Sequence, residues 1–447
     1  MFQTIKNAWK VDDLRKKILF SLFILLLYRI GAQIPVPFLT PDLTASMNEA
    51  TAGSIFEYLN ILSGGAFSQA TLFALGVSPY ITSSIVIQLL TVAIPALERL
   101  SKEGEEGKKK LNQITRVVTV ALALLTAIGY YFMLDNGAGS GVSYIETNGL
   151  NKVFVAFVII ACYCAGSSLV MWLAEKINEN GIGNGISLIL FINIISRGPA
   201  IVGQLISLCK GEYTAVAHWV GIVIAVASVI IGLAMLILIV FINDSERRIP
   251  VQYAKKVVGR KMYGGQNSTL PIKLNNTGVM PIIFASSIVS LPATIGMFFN
   301  PKKGGFWAGF FDLFATDSWL YAVLTLVLIV AFAYFYILIS FNPVEVSNNL
   351  KRNGGSIPGI RPGKPTSDYI TKVLNRITLL GAIFLGIIAV VPMIINIVVN
   401  LLTDTSNIMS ALSFGGSSII IVVGVIIETA KEIEGQMTMR HYKGFLE

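Results

Sequence analysis

Apolar residues along this chain gather into long runs rather than into heptads. Ten runs stand out, roughly 18–37, 71–96, 115–134, 153–174, 186–208, 216–242, 277–299, 319–341, 374–401 and 408–427. Each is about as long as the hydrocarbon core of a bilayer is thick, so each predicts a transmembrane helix. Between the sixth and seventh runs the pattern changes. Ile249, Val251 and Tyr253 alternate with polar neighbours, and so do Leu270, Ile272 and Leu274. Period-two alternation on both sides of Gly264-Gly265 predicts a β-hairpin projecting from the membrane. The stretch 342–373 contains NGGSIPGIRPGKP, where proline and glycine fix a non-helical path.

Residues 54–70, SIFEYLNILSGGAFSQA, are moderately apolar but broken by Glu57, Asn60, Ser63, Gly64, Gly65, Ser68 and Gln69. They are too short and too polar to face lipid. Backbone at membrane depth that does not span must be buried in protein or line a water-filled cavity. An amphipathic loop helix at the outer surface fits the composition about as well.

Composition sharpens the class. Hydrophobic residues make up 54% of the 447 and charged residues 13%, with mean hydropathy +0.70. Soluble domains carry about 25% charged residues, so this chain cannot cover a water-facing surface. The charges also set a topology, because short loops rich in Lys and Arg stay in the cytoplasm. Lys6, Lys10, Arg15, Lys16 and Lys17 place the N-terminus inside. Loop 38–53 has no Lys or Arg and falls outside. The loops holding Arg99 to Arg116, Arg247 to Lys273 and Lys351 to Lys372 fall inside again. Ten spans with both termini cytoplasmic satisfy every loop. Five spans lie in residues 1–208 and five in 209–447. An odd number per half starts the second half on the opposite side, which is the arithmetic of an inverted repeat.

Catalytic chemistry finds no foothold. There is no GxxxxGK[ST] phosphate loop, no HExxH, no nucleophile elbow and no convincing intramembrane carboxylate pair. Cys162 and Cys164 are two apart and point to different sides of a helix, which argues against a metal pair or disulfide. Packing accounts for them and for Cys209. His218 and His441 are too scattered for a metal site. The first span lacks a small-residue cleavage site and runs into IPVP, so it reads as a retained helix rather than a signal peptide.

Three motifs carry a specific likeness: EKINENGIGNGIS at 175–187, PYITSSIVIQLL at 79–90 and PGIRPG at 358–363. With them the chain resembles the SecY family of protein-conducting channels, from YRIGAQIPVP to the C-terminal tail. The resemblance implies an all-α polytopic membrane protein. Its ten helices form two inverted five-helix halves, a clamshell around a central pore, with no cofactor or metal and no enzyme activity. It implies a pore ring of Val77, Ile81, Ile186, Leu190, Ile283 and Ile421. It makes 54–70 a plug, with Glu57, Asn60, Ser63, Gly64 and Gly65, in which weak packing and a flexible Ser-Gly-Gly would ease release. It implies a lateral gate between spans two and three and spans seven and eight. Thr82, Ser84, Gln88, Thr91, Asn276, Ser286 and Ser287 would line it, able to hydrogen-bond across the seam. Arg247, Arg248, Lys255, Lys256, Arg260, Arg361 and Lys364 would dock partners on the cytoplasmic face. Those partners are SecE, SecG, the SecA ATPase and the ribosome, with signal peptides, nascent chains and membrane lipids as contacts of the channel. The implied location is the bacterial cytoplasmic membrane.

Two local departures stand out. Val77 and Leu190 occupy ring positions where the family favours isoleucine, and Phe38 follows IPVP where the family usually has glycine. An ion-coupled secondary transporter shares ten spans, inverted halves and broken helices. It calls for buried charges near mid-membrane, and the centres of these runs are nearly charge-free.

Overall fold

The structure is a computed structural model. It describes residues 8–40, 56–136, 143–146, 151–210, 218–253, 256–258, 261–263, 267–275, 277–296, 309–310, 313–314, 318–403 and 416–443. Helices dominate. In chain order they are α1 (Asp12–Gly31), α2 (Glu57–Leu62), α3 (Ser78–Ala93), α4 (Pro95–Lys102), α5 (Glu105–Asp135), α6 (Lys152–Asn180), α7 (Gly185–Ser196), α8 (Gly198–Lys210) and α9 (His218–Asp244). After the strands come α10 (Met280–Val289), α11 (Leu291–Gly296), α12 (Trp319–Ser340), α13 (Pro343–Arg352), α14 (Lys364–Thr403) and α15 (Gly416–Lys443).

Helical segments occupy all ten expected spans in order, with shifted ends. Six helices are individually long and apolar enough to cross a membrane, and α3 with α4 makes a seventh if taken as one bent span. The run 71–96 becomes helix only from Ser78, because residues 72–77 form turns. It stops at Ile94, whose extended backbone (φ −110°, ψ 114°) is what a following proline enforces. The chain bends there by 102°. The seventh run is split into α10 and α11, and α10 is almost wholly buried. The most lipid-exposed helix is α9, where Val223, Ile230, Ile237 and Phe241 all point outward.

The predicted hairpin is present. Strands β1 (Glu246–Tyr253) and β4 (Asn267–Lys273) pair antiparallel from Glu246↔Lys273 to Gln252↔Asn267. Between them β2 (Lys256–Val258) and β3 (Lys261–Tyr263) form a second antiparallel pair. The sequence did not announce that β5 (Gly355–Ser356), from the other basic loop, adds to the free edge of β1 through Gln252↔Ser356. Ile249, Val251 and Ile272 pack with Leu350, Ile357, Ile370 and Leu374. The two loops are therefore one folded body on the ends of α12 and α14.

Two apolar clusters organise the membrane region. The larger draws on α1, α2, α3, α6, α7, α9, α10, α12, α14 and α15. The smaller gathers Val36, Phe67, Ala70, Tyr130, Tyr144, Ile159 and Tyr163 from the first half alone. The halves touch on two sides. On one, α10 packs on α3 and α11 on α5; on the other, α7 packs on α15.

Candidate functional site

The motif GIGNGIS is a tight helix–helix connection. Asn184 caps α7, its Oδ1 accepting from the N–H groups of Ile186 (3.1 Å) and Ser187 (3.4 Å). Asn178 Oδ1 accepts from Gly185 N–H at 2.7 Å. A side chain at Gly185 is impossible, because its Cβ would lie 2.0 Å from the Ala174 carbonyl oxygen. This closure fixes the phase of α7, so Ile186, Leu190 and Asn193 follow on one face at i, i+4 and i+7.

The starts of α3 and α10 are built alike. Gly76-Val77-Ser78-Pro79 and Gly278-Val279-Met280-Pro281 share a spacing. Both glycines have positive φ (53° and 65°), both valines are αR N-caps, and both prolines sit in the first turn, where a missing N–H costs nothing. Ile81 and Ile283 each follow their valine by four residues. This is an internal repeat between the second and seventh spans, too short to register without the shared backbone.

Val77, Ile81, Leu190, Ile283 and Ile421 are all buried in the larger cluster, and Ile186 packs against it half-buried. Positions from both halves, on α3, α7, α10 and α15 or their caps, thus belong to one continuous apolar cluster. Val279 lies in the same cluster beside Gly424.

This cluster also takes in α2. Tyr58 and Leu62 belong to the larger cluster, whereas Leu59, Phe67, Ala70, Ala74 and Leu75 belong to the smaller. The side chain of Glu57, which begins α2, lies outside the described residues. Segment 58–70 is not weakly packed: Ser63, Ala66, Phe67, Ser68 and Ala70 are all buried. Nor is Ser63-Gly64-Gly65 a loose joint. Gly64 and Gly65 take positive φ (67° and 90°), and Gly65 N–H donates to the Asn60 carbonyl at 2.9 Å. Asn60 Oδ1 accepts from Ser68 N–H (3.2 Å) and Ser63 Oγ from Phe67 N–H (3.0 Å). Buried backbone must find partners, and these polar side chains supply them, so the residues expected to give flexibility instead fix a turn.

Side chains from neighbouring helices hold the same segment by its carbonyls. The Tyr130 hydroxyl donates to Phe67 O at 2.5 Å and Tyr163 to Ala70 O at 3.2 Å. Asn193 Nδ2 donates to Leu62 O (2.7 Å) and to the Tyr28 hydroxyl (2.8 Å). Tyr58 carries a hydrogen bond to the side chain of Ser286 on α10. Sequence reasoning missed Tyr28, Tyr130, Tyr163 and Asn193. The signal for Asn193 was visible: it is the lone amide in the apolar run ISLILFINII, where a polar group needs a partner.

At the seam between α3 and α10, bonds across the gap were expected. Among the described residues, none joins the two helices. Thr91 Oγ1 donates to Gln88 O (2.6 Å), Ser287 Oγ to Ile283 O (2.8 Å), and Gln88 Nε2 reaches Ser84 Oγ at 3.5 Å. Ser and Thr in a helix can satisfy themselves on a carbonyl one turn back, which leaves the seam to apolar contact. Thr82 and Ser84 are half-buried, and Asn276 lies outside the described residues. The strong hydroxyl contact of α3 runs instead from Ser83 to Thr119 of α5, within the first half.

On the body formed by the two basic loops, Arg247, Arg361 and Lys364 are exposed, and Arg248 is paired with Glu246 at 2.7 Å. Thr366 Oγ1 donates to Arg361 O and Ser347 Oγ to Gly363 O, both at 2.8 Å, so the PGIRPG turn is tied down. Lys256 begins β2, but its side chain lies outside the described residues, as do Lys255 and Arg260.

A family model of SecY matches residues 71–430. A SecY protein translocase subunit from Streptomyces galbus is 42% identical, with 100% of both chains covered. The chain belongs to the SecY family. Among solved structures, a SecY channel whose plug domain is described as stabilising the closed state matches with TM-score 0.63 and 18% identity. The match covers 95% of this chain and 92% of that one. Canine Sec61 in a ribosome–channel complex matches with TM-score 0.60, 18% identity and the same coverage. The fold is the ten-helix SecY clamshell. Against the SecY pattern, Phe38 is informative. It keeps φ at +68°, a left-handed conformation suited to glycine, while its carbonyl accepts from Glu146 N–H at 2.9 Å. The turn is retained with a residue that is strained in it, at a cost of order 1–3 kcal/mol.

Proposed function

We infer that this chain is the protein-conducting channel of a bacterial cytoplasmic-membrane translocase, passing unfolded polypeptide through its centre and releasing apolar segments sideways into lipid. The observation that supports this reading is that Val77, Ile81, Leu190, Ile283 and Ile421, with Ile186 packed against them, share one apolar cluster with Tyr58 and Leu62 of α2. A pore for every side-chain type must bind none of them tightly yet block ions when idle. An apolar ring gates by dewetting and grips only through non-directional contact. Val77 and Leu190 keep that chemistry with altered shape.

In this reading residues 54–70 are the plug and the α3–α10 seam is the lateral gate. Its lack of cross-seam bonds suits a joint that must part. The halves are 1–208 and 209–447, with both termini cytoplasmic. The chain itself supplies no energy, so the work comes from SecA or a translating ribosome docked on the exposed basic face around β1 and the PGIRPG turn, with SecE and SecG as further subunits. The ribosome-bound state of the canine Sec61 neighbour supports the ribosome as a partner. Acidic motor surfaces and ribosomal phosphates both complement this face. Arg361, exposed on a pinned turn, is the residue assigned to the motor contact. An Arg361→Glu chain that still exports SecA-dependent precursor at the normal rate overturns that assignment.

The ring is tested with a photoreactive residue at Ile283 and a stalled precursor, in the presence of SecA and ATP. Crosslinks to the mature part of the precursor, lost without SecA or ATP, are expected. Normal export with no crosslink there rejects the ring.

A further inference from the structure

Asn193 has 0% exposure, sits in a helix whose other polar side chains are Ser187 and Ser196, and spends both amide hydrogens on other elements. One goes to Tyr28 of α1 and one to the main-chain oxygen of Leu62, the last residue of α2. The orientation of the amide is set by Leu62, since a carbonyl oxygen can only accept. Its own Oδ1 is buried without a partner. Gly64 is pressed against the same residue: a Cβ there would lie 3.0 Å from Asn193 Cα, O and Oδ1. On α7, Asn193 follows Leu190 by three residues and Ile186 by seven, so it shares their face.

Resting on the plug and ring assignments above, we propose that Asn193 is the latch that couples the ring to the plug. It holds α2 in its seat by the Leu62 carbonyl, and displacement of α7 as the ring widens withdraws the amide and frees α2. The turn after α2 stays behind. Phe67, Ala70, Ala74 and Leu75 are anchored in the first half, in a cluster that contains no residue of the second half and that α2 enters through Leu59, and Tyr130 and Tyr163 hold the Phe67 and Ala70 carbonyls. The moving part is therefore α2 rather than the whole of 54–70. The unpartnered Oδ1 keeps the latch from being too tight. In the closed state it is a buried acceptor with nothing to accept, and water entering the opened site satisfies it.

The test is ion conductance of the resting channel in planar bilayers, using the full chain purified with its native partner subunits. Three changes are compared: Asn193→Leu, Tyr28→Phe and deletion of residues 56–62. Asn193→Leu keeps the branched outline of the side chain, with a larger volume, and removes both donors; it is expected to raise resting conductance roughly fivefold to tenfold, the scale of one or two net hydrogen bonds. Tyr28→Phe removes one hydroxyl only and is expected to raise it about twofold to fivefold. In the deleted chain Asn193→Leu is expected to add nothing. Conductance unchanged by Asn193→Leu and by Tyr28→Phe, in a chain that leaks when 56–62 is deleted, overturns the latch and leaves the plug. Asn193→Leu raising conductance in the deleted chain as well overturns the latch in favour of a role in the ring. No leak on deletion overturns the plug assignment and the latch with it.

Discussion

The two clusters of the membrane region are built from different chemistry. The central one, where both halves meet, presents valine, isoleucine and leucine from α3, α7, α10 and α15. The outer one, confined to the first half, is rich in tyrosine, and Tyr130 and Tyr163 stack edge-on at 5.0 Å while their hydroxyls grip Phe67 and Ala70. Dispersion contacts vary smoothly as surfaces slide, whereas a buried hydrogen bond is either made or left unsatisfied at a cost. The difference teaches how the channel divides its labour. What must part is held by contacts without direction, and what must stay is held by bonds with direction. The α3–α10 seam follows the first rule, Thr91 and Ser287 folding their hydroxyls back on their own helices. Asn193 and the Tyr58–Ser286 pair are exceptions, directional bonds that hold α2 where the two regimes meet.

The comparison can be broken from the directional side first. Ala70 O has Tyr163 as its partner among the described bonds, whereas Phe67 O also accepts from Ala70 N–H at 3.2 Å. Tyr163→Phe is therefore expected to destabilise by about 1–3 kcal/mol, the cost of a stranded buried acceptor, and Tyr130→Phe by about 0.5–1.5 kcal/mol. Melting temperatures of the detergent-purified chain give the ranking. Equal, negligible losses in both would mean that the tyrosines contribute by packing alone and that the contrast is false.

An effect as small as that of Tyr130→Phe belongs to the aliphatic side. Ile283→Val removes one methylene from a packed centre and is expected to cost about 0.5–1.5 kcal/mol. Because nothing directional is lost, export rate should stay near normal. A large drop in export with an unchanged melting temperature would show that the centre depends on shape as finely as a binding site does.

Much of this was legible in the chain. The apolar runs gave the helices their places, and the alternation around Ile249 and Leu270 gave the β1–β4 hairpin, because burial period and backbone geometry are coupled locally. The residues proposed for the ring were reachable only through motif likeness; isoleucines four apart on a membrane helix look the same facing lipid, protein or pore. Residues 54–70 were legible as an interruption, but the packing of the described part, 56–70, was misread. Ser63, Gly64 and Gly65 suggest looseness by type, and only their partners, Phe67 N–H and the wall formed by Asn193, reveal a fixed turn.

By itself the sequence determined that this chain lives in a membrane, how many times it crosses, and which loops carry positive charge. Hydrophobic length and charge asymmetry act on each segment separately, and the bilayer reads them without reference to the rest of the fold. The tertiary structure alone decided which side chains meet. It brought β5 to the edge of β1, kept the seam between α3 and α10 free of cross-bonds, and set Asn193 of α7 against the carbonyl of Leu62, 131 residues earlier in the chain. Those pairings depend on how rigid helices nest against one another. That is a property of surfaces in three dimensions, which no local pattern of residues encodes.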